Sequence, residues 1–189
     1  MFMKKKFLTY ILLLACFFLV IKIFNCSKDS KSPVGSNPPV IQKTSLKIFL
    51  ASLPNDFEQV NLKIKKVSLH LSEVDSCYEG WMTILDSLVT YDLAKLTDGN
   101  KALLVEKEIE IGKLNEIRLI LADSSTVVKE GIESPLFVPS GLETGIKVTP
   151  PKDLISGKTV EITIVFDLAN SIKYVDSKYM LEPVAKIVE

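Results

Sequence analysis

The sequence predicts an all-β protein, a single antiparallel β-sandwich that follows an N-terminal signal and a flexible tether. Apolar and polar residues alternate with a period of two in several segments, and helical periodicity is nearly absent. Turn signals such as Asp98-Gly99 and Pro150-Pro151 separate about nine such segments. Because short strands of this kind each bury one face, we expect two sheets packed together, in a sandwich of the immunoglobulin-like or transthyretin-like type.

The first element of the chain, residues 1–25, has the layout of a secretory signal. Three consecutive lysines at residues 4–6 precede residues 7–21, which contain no charge, and this order is typical of a signal peptide. A spanning helix needs about 20 apolar residues, so the segment is short for a permanent anchor. We predict a signal peptide over residues 1–25, with an uncleaved anchor as an alternative.

Two cysteines compete as the lipidation site of a bacterial lipoprotein. The residues before Cys16 are small or aliphatic, as lipoprotein cleavage requires, whereas Phe24 and Asn25 before Cys26 are irregular. Cleavage at Cys16 would leave the apolar stretch FFLVIKIF, but cleavage at Cys26 leaves SKDSKSPVGSNPPVIQ, whose composition is typical of an extended tether. We therefore predict lipidation of Cys26, with Cys16 as the alternative, and a disordered tether over residues 26–42. The expected location is the bacterial cell envelope, lipid-anchored in the outer membrane.

The charge of the chain argues against nucleic acid as a partner. The full sequence has 23 basic and 23 acidic residues, and loss of residues 1–25 removes only lysines, which leaves a mildly acidic mature chain. No basic footprint for nucleic acid is expected. Lipidation of Cys26 would leave Cys77 as the remaining cysteine, so no disulfide is predicted.

The domain predicted over residues 43–189 contains the strands. Gln59–Ser72 alternates, then changes phase at Lys65-Lys66, where we predict a bulge. Thr159–Phe166 alternates without interruption. Pro183 should put the last strand at an edge or a bulge. Further strands are predicted at Gly80–Leu85 and at residues 44–51, 103–111, 117–121, 144–148, 171–175 and 179–188.

Five segments, in this order, resemble the DUF4382 family of bacterial lipoproteins. They are TYDLAKL (90–96), EIRLIL (116–121), FVPSGLETGIKV (137–148), IVFDLANSI (164–172) and KYMLEPVAKIV (178–188). The resemblance spans residues 44–189 and implies a β-sandwich displayed after a lipid anchor, with no established activity. It supports the predicted location and supplies no mechanism.

The sequence lacks the usual groups of an enzyme. His70 is the single histidine and lies on the strand face opposite the apolar residues, and Cys77 has no evident base beside it. No nucleophile elbow, zinc motif or phosphate-binding loop is present. We predict no catalytic residue, no cofactor and no metal site, because the loop acids lack calcium-loop spacing. These acids are Asp123, Asp153, Asp176 and Glu182.

Three charged residues interrupt apolar strand segments: Asp92, Asp167 and Arg118, the only arginine. An unpaired buried charge is costly, whereas an arginine can hold a carboxylate through two hydrogen bonds. We predict that Arg118 pairs with Asp92 or Asp167 near the core. Plain surface exposure is the alternative.

Residues 137–148 form a possible contact loop. Their prolines and glycines force an irregular backbone, while polar side chains between them could contact a partner; a connecting turn is the simpler alternative. The polar residues are Ser140, Glu143, Thr144 and Lys147. Tyr78 with Trp81, and Tyr174 with Tyr179, could form an aromatic platform for sugars or could instead cap the core.

These features favour a non-enzymatic, lipid-anchored protein of the cell envelope that binds or scaffolds an envelope protein or a glycan. The membrane is then a partner through the N-terminal lipid. One alternative is a structural subunit that joins a surface assembly through its sheet edges. The other alternative is a carbohydrate-binding module.

Overall fold

The computed structural model describes residues 43–72, 80–110, 112–139, 144–149, 152–154 and 157–188, all within one compact unit, Ile41–Glu189. Strands dominate these ranges, which confirms the predicted all-β fold. Besides the strands they contain a 3-10 helix, Leu93–Lys95, and a short helix α1, Leu168–Ser171. The strands are β1 (Lys43–Ser52), β2 (Gln59–Ser72), β3 (Gly80–Leu85), β4 (Val89–Asp92), β5 (Ala102–Glu110), β6 (Gly112–Leu121), β7 (Thr126–Lys129), β8 (Ile132–Phe137), β9 (Ile146–Val148), β10 (Lys152–Leu154), β11 (Thr159–Phe166), β12 (Ile172–Val175), β13 (Lys178–Leu181) and β14 (Ala185–Val188).

The described strands form two sheets. The small sheet has the order β14-β11-β1-β5, and the large sheet follows the path β10-β6-β2-β7-β8-β13-β12, with β3 and β4 paired to β2 and β9 paired to β6. The pairings β1–β11 and β8–β13 are parallel, so the expectation of a purely antiparallel sandwich is wrong. Both parallel pairs join strands distant in sequence, as parallel pairing requires a long connection. The strand count also exceeds the roughly seven to nine strands of an immunoglobulin domain.

One hydrophobic core lies between the two sheets. Alternate residues of β1, such as Leu46 and Ile48, face it from the small sheet, and Leu62 and Leu69 of β2 face it from the large sheet. Phe166 of β11 is the largest fully buried side chain. Since each such residue contributes about 1.5–3 kcal/mol when buried, the core fixes which side of each strand faces outwards.

The predicted bulge in β2 is confirmed. Ile64 lies opposite Leu121 and Lys66 lies opposite Ile120, so Lys65 is an extra residue on β2. The insertion restores the inward direction of the apolar residues that follow. As a consequence, the polar residues between Val67 and Ser72 face outwards.

The predicted strand 179–188 is two strands in different sheets. Pro183 lies between β13, in the large sheet, and β14, in the small sheet. Proline cannot donate a ladder hydrogen bond, so the chain leaves one sheet here and enters the other. The predicted edge position is confirmed, because β14 is the outer strand of the small sheet.

Candidate functional site

The outward side of β2, β3, β6 and β9 forms a polar surface around the only tryptophan of the chain. Cross-strand register places its residues in two adjacent rows, Trp81–His70–Glu116 and Thr83–Ser68–Arg118–Lys147. Neighbours in such rows are close enough for their side chains to interact. We call this surface the Trp81 face, made of Ser68, His70, Trp81, Thr83, Glu116, Arg118 and Lys147.

The indole of Trp81 is fixed by two neighbours while 40% of the residue stays exposed. The guanidinium carbon Cζ of Arg118 lies 3.9 Å from the indole centroid, a cation–π contact. The His70 ring meets the indole edge-on, with 5.1 Å between the ring centroids. The tryptophan therefore presents a restrained aromatic surface to solvent, rather than capping the core.

Arg118 is held by a carboxylate on its own strand. Its Nε and Nη2 atoms donate to Oε1 of Glu116 at 3.2 and 2.9 Å. The Arg118 and Glu116 side chains are 29% and 24% exposed, so the ion pair is half-buried and reaches solvent. The two residues are separated by one position on β6, and their side chains therefore share a face.

The predicted pairing of Arg118 with Asp92 or Asp167 is wrong, because both carboxylates serve the ends of other elements. Oδ1 of Asp92 accepts the Val60 amide at 3.0 Å. Oδ2 of Asp92 has no aligned hydrogen bond, but it lies 2.8 Å from Nζ of Lys95. Asp167 caps α1.

The capping contacts of Asp167 explain why it is unavailable to Arg118. Its Oδ1 accepts the Asn170 amide at 3.1 Å, and its Oδ2 accepts the Asn170 side chain at 2.8 Å. Aspartate is a preferred N-cap residue because it satisfies helix amides that have no internal partner. Asp167 in IVFDLANSI and Asp92 in TYDLAKL therefore hold neighbouring backbone and side-chain groups in place and do not pair with Arg118.

Positive charge is concentrated on the strands that form the Trp81 face. Together, β2, β3, β6 and β9 contain six cationic side chains and a single carboxylate, Glu116, although the whole chain has a net charge of 0. Alternation directs four of the lysines to the outer side: Lys63, Lys66, Lys113 and Lys147. Arg118 pairs with Glu116, and Lys113 lies opposite Asp153 of β10 in the cross-strand register.

The possible contact loop lies only partly within the described residues. Ser140 and Glu143 fall outside them, whereas Thr144 is exposed and Lys147 lies on the Trp81 face opposite Arg118. The loop returns to the sheet through Gly145, which has φ +72° and touches β6 so closely that a Cβ would lie 2.8 Å from the Leu119 carbonyl oxygen. The glycine therefore fixes how β9 approaches β6.

Sequence reasoning placed His70 on a strand surface, and the structure confirms this. It missed the contribution of Glu116, although the spacing of E-I-R predicts that the carboxylate and Arg118 share a face. It also missed Asn115, whose Nδ2 donates to Oγ of Ser72 at 2.8 Å beside the face. Asn115 lies at a register shift between β2 and β6, which the residue pattern does not reveal.

Several candidates lie elsewhere. Cys16, Cys26, Cys77 and Tyr78 fall outside the described residues. Tyr174 and Tyr179 form a tilted ring pair, 4.8 Å between centroids, on the β12–β13 hairpin. Across the described ranges, no three His, Cys, Asp or Glu side chains converge as metal ligands. The same ranges contain no helix with the length and apolarity needed to cross a membrane.

These observations define a two-sheet, all-β domain with a cationic and aromatic outer face on its large sheet. The profile of the family described as "Domain of unknown function (DUF4382)" matches residues 43–183, and the chain therefore belongs to the DUF4382 family, which confirms the resemblance of its five segments. Searches among curated proteins and among solved structures each gave no significant match.

Proposed function

We propose that this protein is a non-enzymatic, lipid-anchored component of the bacterial cell envelope whose sandwich domain binds an envelope component through the Trp81 face. The observation that most favours a binding role is the meeting of the only tryptophan, the only histidine and the only arginine on one exposed sheet face. A sheet face that only contacts water requires none of these residue types.

The contacts of the Trp81 face suit recognition. Tryptophan and arginine are the residue types enriched at binding hot spots. Both are restrained here before any partner arrives, Trp81 by His70 and Arg118, and Arg118 by Glu116. Restrained side chains lose little conformational entropy on binding, so more of the contact energy is available as affinity.

The lipid anchor is supported by the signal-like residues 1–25 and by the tether composition after Cys26. We expect mass spectrometry of the mature protein to find a diacylglycerol on Cys26, and we expect Cys26→Ala to accumulate as an unprocessed precursor. A lipid on Cys16, or an intact N-terminus in the wild type, would contradict this assignment.

The binding role is tested with the full-length protein in detergent micelles and cell envelopes extracted with the same detergent, so that membrane insertion of the lipid does not contribute. Replacement of a hot-spot tryptophan costs about 2 kcal/mol or more, which is about 30-fold in affinity. We therefore expect Trp81→Ala to weaken retention by about that factor.

The matched control is Tyr174→Ala, because Tyr174 is an aromatic residue that is 65% exposed on β12, away from the Trp81 face. It should leave retention unchanged. Equal retention of wild type, Trp81→Ala and Tyr174→Ala would show that the Trp81 face is not the binding surface.

One observation favours the second candidate, assembly through sheet edges. The outer strand β12 of the large sheet exposes Tyr174 and Val175, and an open edge can accept another strand. If assembly is the function, the wild type should sediment as an oligomer in detergent. Tyr174→Pro should return it to a monomer, because the Tyr174 amide points away from β13 and proline removes this edge hydrogen-bond donor.

A further inference from the structure

We propose that the component bound by the Trp81 face is an acidic polysaccharide, an inference that rests on the proposed function. The outer face combines unneutralised positive charge with one exposed aromatic ring. A polymer of sugars that carry carboxylate or sulfate groups offers the matching features, which are negative charge at regular intervals and flat apolar ring faces.

The charge argument centres on Arg118 and Lys147, which lie directly opposite each other on β6 and β9. Like charges in such a cross-strand pair destabilise a sheet. Glu116 neutralises Arg118 and Lys113 lies opposite Asp153 of β10, but Lys147 and the outward Lys66 form no ion pair with a residue whose side chain the structure describes. An anion bound across these strands would neutralise them together, and charge-assisted hydrogen bonds from lysine and arginine are strong.

The aromatic argument concerns Trp81 and its polar surroundings. The indole offers an apolar surface on which a sugar ring can lie, and ligand sites typically add a few polar groups that set orientation. His70 contacts the indole, and Thr83 is exposed on the same strand as Trp81. These side chains supply donors and acceptors for sugar hydroxyls next to the ring surface.

Lipid headgroups also carry negative charge, but the apolar content of this face does not fit a membrane surface. A segment that enters the interface between headgroups and acyl chains buries a broad apolar face. On the outer side of β2, β3, β6 and β9, Trp81 and the half-buried Ile120 are the apolar members. The remaining outward side chains are polar or cationic, which favours a soluble polymer.

The single tryptophan makes the test direct, because emission excited at wavelengths that tyrosine does not absorb reports on Trp81 alone. The full-length protein in detergent micelles is titrated with polygalacturonate oligosaccharides, and separately with neutral galactan oligosaccharides of similar length. We expect a saturable change in Trp81 emission with the acidic oligosaccharide. The neutral one should bind at least about tenfold more weakly, since it lacks the charged partner of a charge-assisted hydrogen bond.

Two lysine variants separate the Trp81 face from general charge. Lys147→Gln should weaken polygalacturonate binding about tenfold, the effect of losing one such bond. Lys107→Gln is the matched control, because Lys107 is an exposed lysine on β5 of the small sheet, and it should bind like the wild type. An unchanged thermal melt shows that Lys147→Gln is folded. If Lys147→Gln does not fold, the salt dependence of the wild type is measured instead. We then expect high salt to weaken polygalacturonate binding by the wild type about tenfold, since salt screens exposed charges.

Three outcomes would overturn the proposal. The first is equal binding of the neutral and the acidic oligosaccharide. The second is a Lys147-dependent emission change with phosphatidylglycerol vesicles and none with polygalacturonate. The third is no response to polygalacturonate while detergent-extracted envelopes still retain the protein in a Trp81-dependent manner. This result would refute an acidic polysaccharide as the ligand and would leave the proposed binding role intact. Failure of the proposed function itself is seen separately, as envelope retention that does not depend on Trp81.

Discussion

Replacement of Gly145 by alanine should destabilise the domain more than the same replacement at a glycine whose surroundings are open. A Cβ at Gly145 would lie 2.7 Å from Cδ1 of Ile120, 2.8 Å from the Leu119 carbonyl oxygen and 2.9 Å from Cγ of Arg118. The backbone oxygen cannot move without disturbing the ladder of β6, so the crowding should cost about 1–3 kcal/mol, as in an overpacked core. The left-handed φ of +72° should add about 1–2 kcal/mol for a residue with a Cβ. We expect a total loss of about 2–5 kcal/mol.

The chain contains a control that separates crowding from backbone strain. Gly131, in the turn between β7 and β8, also has φ +72°, but a Cβ there would meet nothing within 4 Å. Gly131→Ala should therefore cost only the backbone term, about 1–2 kcal/mol. Urea unfolding followed by Trp81 fluorescence measures both free energies of unfolding. Equal losses for the two variants would refute the close approach of β9 to β6 at Gly145.

Two further predictions concern single side chains. Arg118→Ala should lower the free energy of unfolding by about 1–2 kcal/mol in urea melts, because it removes a half-buried ion pair with Glu116 and a cation–π contact with Trp81; a loss above about 3 kcal/mol would indicate a fully buried charge. Burial raises the pKa of the Tyr91 hydroxyl, which donates to the Leu103 carbonyl at 2.8 Å. The folded state therefore holds this proton more tightly than the unfolded state does. The contribution of Tyr91 to the free energy of unfolding is complete below the unfolded pKa of about 10 and is lost as the pH rises through the folded pKa. Urea melts at increasing pH should show this alkaline loss in the wild type and a smaller one in Tyr91→Phe.

The sequence predicted the bounds of three strands correctly. Gln59–Ser72, Gly80–Leu85 and Thr159–Phe166 have the same bounds in the structure, because one buried face fixes the pattern of a strand. The strands β4, β7, β8 and β10 were missed. They are short, and β8 contains Pro135, a residue that argues against a strand unless the position needs no ladder donor.

The other incorrect predictions depend on pairings between strands that are distant in sequence. Nothing within KYMLEPVAKIV indicates that the chain changes sheets at Pro183, because the sheet of each strand is set by a partner distant in sequence, β8 for β13 and β11 for β14. The contact between Trp81 and Arg118 likewise depends on the strand order β3-β2-β6. By contrast, the Arg118–Glu116 pair follows from the period of a strand alone, because residues two positions apart share a face.

The charge of the chain illustrates a limit of composition as evidence for function. A net charge of 0 does not describe each surface, because charge is unevenly distributed between the sheets. The strands of the small sheet contain four lysines and four glutamates, whereas the strands of the Trp81 face contain six cationic side chains and Glu116 as their one acid. A domain with such a charge distribution orients an approaching polyanion, because the field near each surface depends on local charges more than on their sum. An acidic polymer should therefore be attracted to the Trp81 face more than to the small sheet, so a chain with a net charge of 0 can still have a cationic binding surface.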